Sequence, residues 1–138
     1  MTPHQIDLVQ SSFAKVAPNA NAVAALFYSR LFEIDPDLRP LFKGDMAAQG
    51  AKLMAALAVA VNSLRKPEAI IPALRAMGAR HREYGVTDAH YGTVATALVW
   101  TLEQGLGADF TEETRAAWVE TYTLVATTMM DAPAAQAA

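Results

Sequence analysis

The chain has 138 residues, a formal net charge of −3 and no cysteine, which excludes disulfides, thiolate metal sites, iron–sulfur clusters and cysteine nucleophiles. Eleven Lys and Arg against fourteen Asp and Glu leave no basic surface of the kind that nucleic acid binding needs. Uncharged runs such as 53–64 and 89–102 are too short to span a bilayer, and no signal segment opens the chain, which predicts a cytoplasmic protein.

The predicted elements are all helices, because alanine and leucine are frequent and the boundaries carry helix start signals. Thr2 and Gln5 have the spacing of a capping box around Pro3. Later helix starts are marked by Asp35-Pro36, Asp45, Thr87 and Thr111. Helices are predicted over about 3–16, 21–32, 46–64, 70–82, 87–105 and from 111 onward, with a short helical piece from 35 to 40–42.

The fourth long segment, 70–82, contains Pro72 and Gly78, which we expect to weaken it, and Gly85 is expected to cap its end. No internal repeat or linker interrupts the pattern. It therefore predicts five substantial helices and two or three short ones in one all-α domain over residues 1–132. Residues 133–138 are expected to form a disordered tail.

The sequence lacks several motifs that are typical of common catalytic sites. No Glu-x-x-His pair, Gly-rich phosphate loop or Gly-x-Ser-x-Gly elbow occurs. Two of the three histidines have structural interpretations: His4 lies in an exposed first turn, and His90 can help to cap the helix that starts at Thr87. His81 remains as the candidate for chemistry.

His81 lies near the end of a predicted helix, one turn after Met77 and next to Arg80 and Arg82. A neutral imidazole on an apolar helical face can ligate haem iron, and nearby cations can meet the haem propionates. The alternative is a surface histidine whose positive form is stabilised by the helix dipole. His81 alone does not decide between these two interpretations.

Several segments, in order along the chain, carry a family resemblance. They are Phe27–Phe32, Asp35–Phe42, Gln49 with 52–54, Arg80–Val86, His90–Tyr91, and Ala117–Trp118 with Tyr122. This ordered set resembles the globins, specifically the bacterial single-domain globins and the globin part of flavohaemoglobins. Helix periodicity by itself leaves a four-helix bundle and a globin-like packing open. The resemblance implies the globin fold, with about six to eight helices around a haem pocket.

The resemblance also implies a set of contacts to haem b. His81 looks like the proximal iron ligand and Phe42 like the aromatic residue that wedges against the porphyrin, while Pro36 opens the short third helix. The other implied cofactor contacts are Lys52 and Arg80 at the propionates, Leu53 on the distal side, and Met77, Val86, Tyr91 and Val94 along the proximal wall.

The resemblance implies that Tyr28 and Gln49 lie on the distal side of the haem, with Leu53 pressing on the bound ligand. A hydroxyl or amide donor favours dioxygen, which gains negative charge on ferrous haem, over neutral carbon monoxide. Gln49 stands where many globins have histidine, so bis-histidine ligation through that position is not available. The alternative for Tyr28 is a core tyrosine whose hydroxyl bonds to the backbone.

Flavohaemoglobins add a carboxylate near the end of the last helix that, with a tyrosine, hydrogen-bonds the proximal histidine. This chain has Tyr91 but only Asp131 in the corresponding region, with no glutamate. The difference argues against peroxidase-like activation.

The resemblance implies a haem protein that reversibly binds dioxygen for storage, delivery or scavenging. The alternative is nitric oxide dioxygenation, for which 138 residues leave no room for a flavin or nicotinamide domain, so a partner reductase would be needed. A third hypothesis is a helical interaction module without haem. Other diatomic gases are further candidate ligands, and the sequence does not indicate an oligomeric state.

Overall fold

The computed structural model describes residues 1–131, which form six α-helices joined by short 3₁₀ segments. The α-helices are α1 (Pro3–Val16), α2 (Ala20–Ile34), α3 (Met46–Asn62), α4 (Ile71–Glu83), α5 (Asp88–Leu106) and α6 (Glu112–Met130). The 3₁₀ segments are Ala17–Asn19, Pro36–Leu41, Pro67–Ala69 and Gly107–Asp109. These residues contain no strand, so the predicted all-α fold is confirmed. The predicted tail, 133–138, lies outside the described residues.

The predicted helix boundaries agree with the observed ones to within two residues. The short piece predicted after Asp35 is the 3₁₀ segment Pro36–Leu41. One expectation needs correction, because the described residues contain six long helices where five were expected. Gly78 does not shorten α4, which runs for 13 residues.

The side-chain caps predicted at four helix starts are present, at Thr2, Asp35, Asp45 and Thr111. The Thr2 hydroxyl accepts a hydrogen bond from the Gln5 N–H at 3.1 Å, and the Thr2 N–H donates to the Gln5 side chain at 2.9 Å. At the start of α5 the Thr87 N–H donates to His90 Nδ1 at 3.0 Å. His90 is therefore a capping residue, and His4 is exposed as predicted.

The core lies where α1 packs on α6 and where α2 packs on α3 and α5. Trp118 of α6 is almost fully buried, and its indole N–H donates to the Ser12 hydroxyl of α1 at 2.8 Å. Leu31 and Val61 are also almost fully buried in this core. Among the described residues no helix is both long and apolar enough to cross a membrane.

Two glycines allow close approach of neighbouring helices. A Cβ on Gly50 would lie 2.9 Å from the Ala24 Cβ, at the crossing of α2 and α3. A Cβ on Gly78 would lie 2.1 Å from the carbonyl oxygen of Met129, at the crossing of α4 and α6. Gly78 has a packing role that outweighs its poor helix propensity.

The helices α3 and α4 are supported from different sides. α3 packs mainly on α2, and α4 packs mainly on α6. Within residues 1–131 the two helices have no extensive contact with each other. They can therefore flank a cleft, because neither needs the other to bury its core-facing side.

Candidate functional site

An aromatic cluster joins α2 to the end of the 3₁₀ segment Pro36–Leu41. The ring of Tyr28 meets the ring of Phe42 edge to face, with centroids 5.3 Å apart, and stacks near Phe32 at 6.0 Å. Phe32 and Phe42 are 5.5 Å apart. Tyr28 is buried, whereas Phe42 is half-buried. The cluster fixes Phe42 against α2 while leaving part of its ring uncovered.

The Tyr28 hydroxyl lies beside the side chain of Gln49 on α3. Burial raises the pKa of Tyr28, and the polar side chain of Gln49 opposes that rise. No backbone group of the described residues is among the causes of the shift. The structure thus brings the two predicted distal residues together, and it gives no support to the alternative in which the backbone takes the hydroxyl.

His81 is held in one tautomer by its own helix. Its Nδ1 lies 2.7 Å from the carbonyl oxygen of Met77, one turn earlier. A carbonyl oxygen only accepts, so Nδ1–H donates and Nε2 keeps its lone pair. Burial lowers the pKa of His81, the bond to Met77 opposes this change, and the nearby Arg80 lowers it further. At neutral pH the side chain therefore offers one free nitrogen for a ligand bond.

The turn after α4 brings the end of that helix close to the 3₁₀ segment Pro36–Leu41. The Val86 N–H donates to the His81 carbonyl at 3.0 Å, and Gly85 adopts a positive φ of 92°. A Cβ on Gly85 would lie 3.6 Å from Cδ2 of Leu41, the neighbour of Phe42. The end of α4 and the end of the 3₁₀ segment therefore meet along one edge of the site.

The remaining predicted residues differ in exposure. Leu53, Val94, Met77, Val86 and Tyr91 are half-buried. Leu53 and Val94 also pack against the core. Lys52 and Arg80 are exposed, and within residues 1–131 neither forms an ion pair. Incomplete burial of several apolar side chains is expected where they line a cleft rather than a closed core.

Tyr91 is linked to α6 through its backbone. The Tyr122 hydroxyl donates to the Tyr91 carbonyl at 2.8 Å, and burial raises the pKa of both tyrosines. Arg82 of α4 donates to the Met130 carbonyl and opposes the rise at Tyr91. Asp131 is exposed and is not among the groups that shift the pKa of Tyr91.

Sequence reasoning missed Arg39 as a residue of this site. Its guanidinium donates to the Phe42 carbonyl at 3.0 Å and lies over the Phe32 ring, 5.5 Å from the ring centre. Arg39 therefore ties the Phe42 backbone to the aromatic cluster. An arginine three residues before an aromatic residue is too common a signal to reveal this contact.

Comparisons with known proteins agree with this architecture. The family model for globins matches residues 25–129. A flavohemoprotein of Xylella fastidiosa is 30% identical over 133 residues, which are 94% of this chain and 33% of that protein. A flavohemoprotein of Bacillus thuringiensis is 29% identical over 124 residues, 88% of this chain and 30% of that protein. The chain thus spans about a third of the length of these curated relatives.

A solved structure shares the fold over almost its whole length. It is an engineered carbene transferase derived from a candidate nitric oxide dioxygenase of Rhodothermus marinus. The TM-score is 0.85 at 30% identity, and the match covers 95% of this chain and 92% of that one. The similarity therefore extends beyond single motifs to the arrangement of the helices.

Proposed function

This chain belongs to the globin family, and on that premise we propose that it binds haem and, through the haem, reversibly binds dioxygen. The observation that carries the proposal is the contact between His81 Nδ1 and the Met77 carbonyl at 2.7 Å. It leaves Nε2 of a neutral imidazole free, which is the form that ligates haem iron.

The residues around His81 fit a haem. Nε2 of His81 would bind the iron, Phe42 would lie against the porphyrin, and Lys52 and Arg80 would meet the propionates. The apolar lining would come from Leu53, Met77, Val86, Tyr91 and Val94. When bound, haem b would supply an iron centre that takes a diatomic gas. Leu53 on the distal side and Val94 on the proximal wall would exclude water, since both present apolar side chains that are only partly covered by the core.

Tyr28 and Gln49 would favour dioxygen over carbon monoxide. Both can donate a hydrogen bond, and Tyr28 keeps its proton at neutral pH because burial raises the pKa of its hydroxyl. Dioxygen accepts such bonds well and carbon monoxide accepts them poorly. Each charge-assisted bond is worth about 1.5 to 3 kcal/mol, so the pair would slow gas release strongly.

A second candidate function is nitric oxide dioxygenation. It is favoured by the likeness to flavohemoproteins and to a carbene transferase derived from a candidate nitric oxide dioxygenase. Tyr28 and Gln49 would then hold dioxygen for attack by nitric oxide, and a separate reductase would return electrons to the iron. Under both functions the cytoplasmic location and the reductase partner stay predictions.

Gas release from the haem-loaded ferrous protein tests the proposal. The wild type is expected to bind dioxygen, release it slowly under argon and recover its starting spectrum. Tyr28→Phe and Gln49→Leu should each speed release about 10- to 150-fold, because each removes one donor. Stopped-flow absorbance after mixing with excess carbon monoxide measures these rates.

Gln104→Leu is a matched control, since Gln104 is an exposed residue of α5. If both pocket variants release dioxygen as slowly as the wild type, the distal donors have no such role. Steady consumption of nitric oxide with an added reductase would favour the second function. A chain that stays colourless after haem reconstitution would contradict both.

A further inference from the structure

Arg39 holds both polar main-chain groups of Phe42. The Phe42 N–H donates to the Arg39 carbonyl at 3.1 Å, and the Arg39 guanidinium donates to the Phe42 carbonyl at 3.0 Å. Within residues 1–131 no other group donates to that carbonyl. Phe42 stands where the 3₁₀ segment ends and the backbone becomes extended, and residues 43–45, which lead on to α3, are all exposed. Arg39 therefore fixes the Phe42 main chain at a point where regular secondary structure stops.

The Arg39 guanidinium also contacts the ring of Phe32. It lies over that ring, 5.5 Å from the ring centre. A guanidinium can stack through its flat face while it donates hydrogen bonds from its edge, whereas the ammonium of a lysine is a compact point charge. Because Arg39 is exposed, its charge stays in water and its contribution comes from the contacts with Phe32 and Phe42. Arg39 thus links the Phe42 main chain to the Phe32 ring.

The two residues that Arg39 holds are ring neighbours of Tyr28. Phe32 lies one turn after Tyr28 on α2, and its ring stacks at 6.0 Å, whereas the ring of Phe42 meets Tyr28 edge to face at 5.3 Å. Phe27, at 5.0 Å, also belongs to α2, so of these three neighbours Phe42 is the one that comes from outside the helix. A buried ring turns only as far as its close-packed neighbours allow. Displacement of Phe42 would therefore free the Tyr28 ring on that side.

We propose that Arg39 is a positioning residue for the distal donors, because it fixes the Phe42 ring and through that ring keeps the Tyr28 hydroxyl beside Gln49. The proposal rests on the proposed function, in which Tyr28 and Gln49 stabilise the bound gas. Arg39 sets the rate of gas release without touching the gas or the iron. When Phe42 loosens, the Tyr28 ring turns, and its O–H is aligned with the gas for only part of the time. Such a donor stabilises the gas less, since hydrogen bonds weaken steeply with misalignment.

Dioxygen release from the haem-loaded ferrous protein tests the proposal. Arg39→Gln removes the stacked guanidinium and should speed release about threefold to tenfold. Arg39→Lys keeps the charge but cannot keep both contacts, and it should speed release by about twofold or more. In the Tyr28→Phe background Arg39→Gln should change release by less than about twofold, because the hydroxyl on which Arg39 acts is already gone. Stopped-flow absorbance measures the four rates.

The infrared spectrum of the ferrous carbon monoxide form reports the position of the donor directly. A hydrogen-bond donor close to the bound gas lowers the C–O stretching frequency, because it stabilises negative charge on the oxygen. We expect the band of Arg39→Gln to move to higher frequency, toward that of Tyr28→Phe. A substitution that only loosens the fold would not move this band in the same direction as the loss of the hydroxyl. A band that stays at the wild-type frequency would contradict the positioning role.

Arg30→Gln is the matched control. Arg30 also stacks on an aromatic ring, that of Trp100 at 4.9 Å, and it is two residues from Tyr28 on α2, so it faces another side of the helix. Its loss should change release by less than about twofold. Unchanged release in Arg39→Gln, equal effects of Arg39→Gln and Arg30→Gln, or an undiminished effect in the Tyr28→Phe background would overturn the role of Arg39. A normal Soret band and reversible dioxygen binding in the wild type show that haem binding itself has not failed.

Discussion

At the scale of single residues, the state of His81 depends on a bond to its own helix. The Met77 carbonyl is four residues earlier, so helix geometry brings it next to Nδ1. The contact is local, because in a helix the carbonyl one turn earlier is within reach of a histidine ring in a suitable rotamer. The bond leaves Nε2 of His81 free, which favours the role of iron ligand over that of a charged surface histidine.

Because His81 is partly buried, the free energy of unfolding of the haem-free protein is expected to depend on pH. Its pKa in the folded protein is lowered from the ordinary value of about 6.5, chiefly by burial. As pH falls below that value, the unfolded chain takes up the proton first, so the free energy of unfolding decreases. The loss begins near the unfolded pKa and continues through the lower folded one.

Nitrogen-15 NMR of the haem-free protein tests this prediction at the ring itself. We expect neutral His81 in the Nδ1–H form at pH 7 and protonation only below pH 6.5. The acid-side loss of stability should be smaller in His81→Gln. An Nε2–H ring at pH 7 would contradict the assigned hydrogen bond, and a pKa at or above 6.5 would contradict the dominant effect of burial.

Other residue contacts could not be predicted because they join distant parts of the chain. The pairing of Tyr28 with Gln49 was expected only from the resemblance to a family. The Tyr122 hydroxyl bonds to the Tyr91 carbonyl across 31 residues, and nothing in the local pattern selects that acceptor. Polar side chains near a site are visible in a sequence, but their choice of partner depends on helix crossings that periodicity does not fix.

At the scale of elements, the sequence predicts helix starts better than helix contacts. Thr2, Asp45 and Thr111 each accept a hydrogen bond from the N–H two or three residues later, as their cap positions require. Such bonds are local, so the sequence contains all that is needed. The close crossing of α4 and α6 is not local, and Gly78 was therefore misinterpreted as a weak point of its helix.

Gly78→Ala tests the importance of that crossing. The added methyl would lie 2.1 Å from the Met129 carbonyl oxygen, which is backbone and cannot rotate away. We expect a loss of about 1 to 3 kcal/mol in the free energy of unfolding, as for other overpacked sites. Chemical denaturation followed by circular dichroism measures the difference.

Gly92→Ala is the matched control on α5, where an added Cβ has nothing within 4 Å. Alanine has the better helix propensity, so this variant should gain up to about 1 kcal/mol. Equal effects from the two substitutions would show that the α4–α6 crossing is not tight at Gly78.

At the scale of the whole molecule, the site is defined by α3 and α4, which pack on different helices. α3 is fixed to α2 and carries Gln49 and Leu53, whereas α4 is fixed to α6 and carries His81. A flat apolar cofactor could enter between them without displacing either from its support. The missing cysteines and the net charge of −3 excluded other chemistry early, but composition could not indicate which helices pack on each other.

Haem binding through His81 is the central claim, and the absorption spectrum of reconstituted His81→Gly tests it most directly. Wild type should take up one haem and show a strong Soret band, and His90→Gly, whose histidine caps α5, should keep it. In His81→Gly the Soret band should shift and weaken. Added imidazole should restore it, because free imidazole can replace the missing ligand. A wild-type spectrum in His81→Gly without imidazole, or a wild type that binds no haem, would contradict the account.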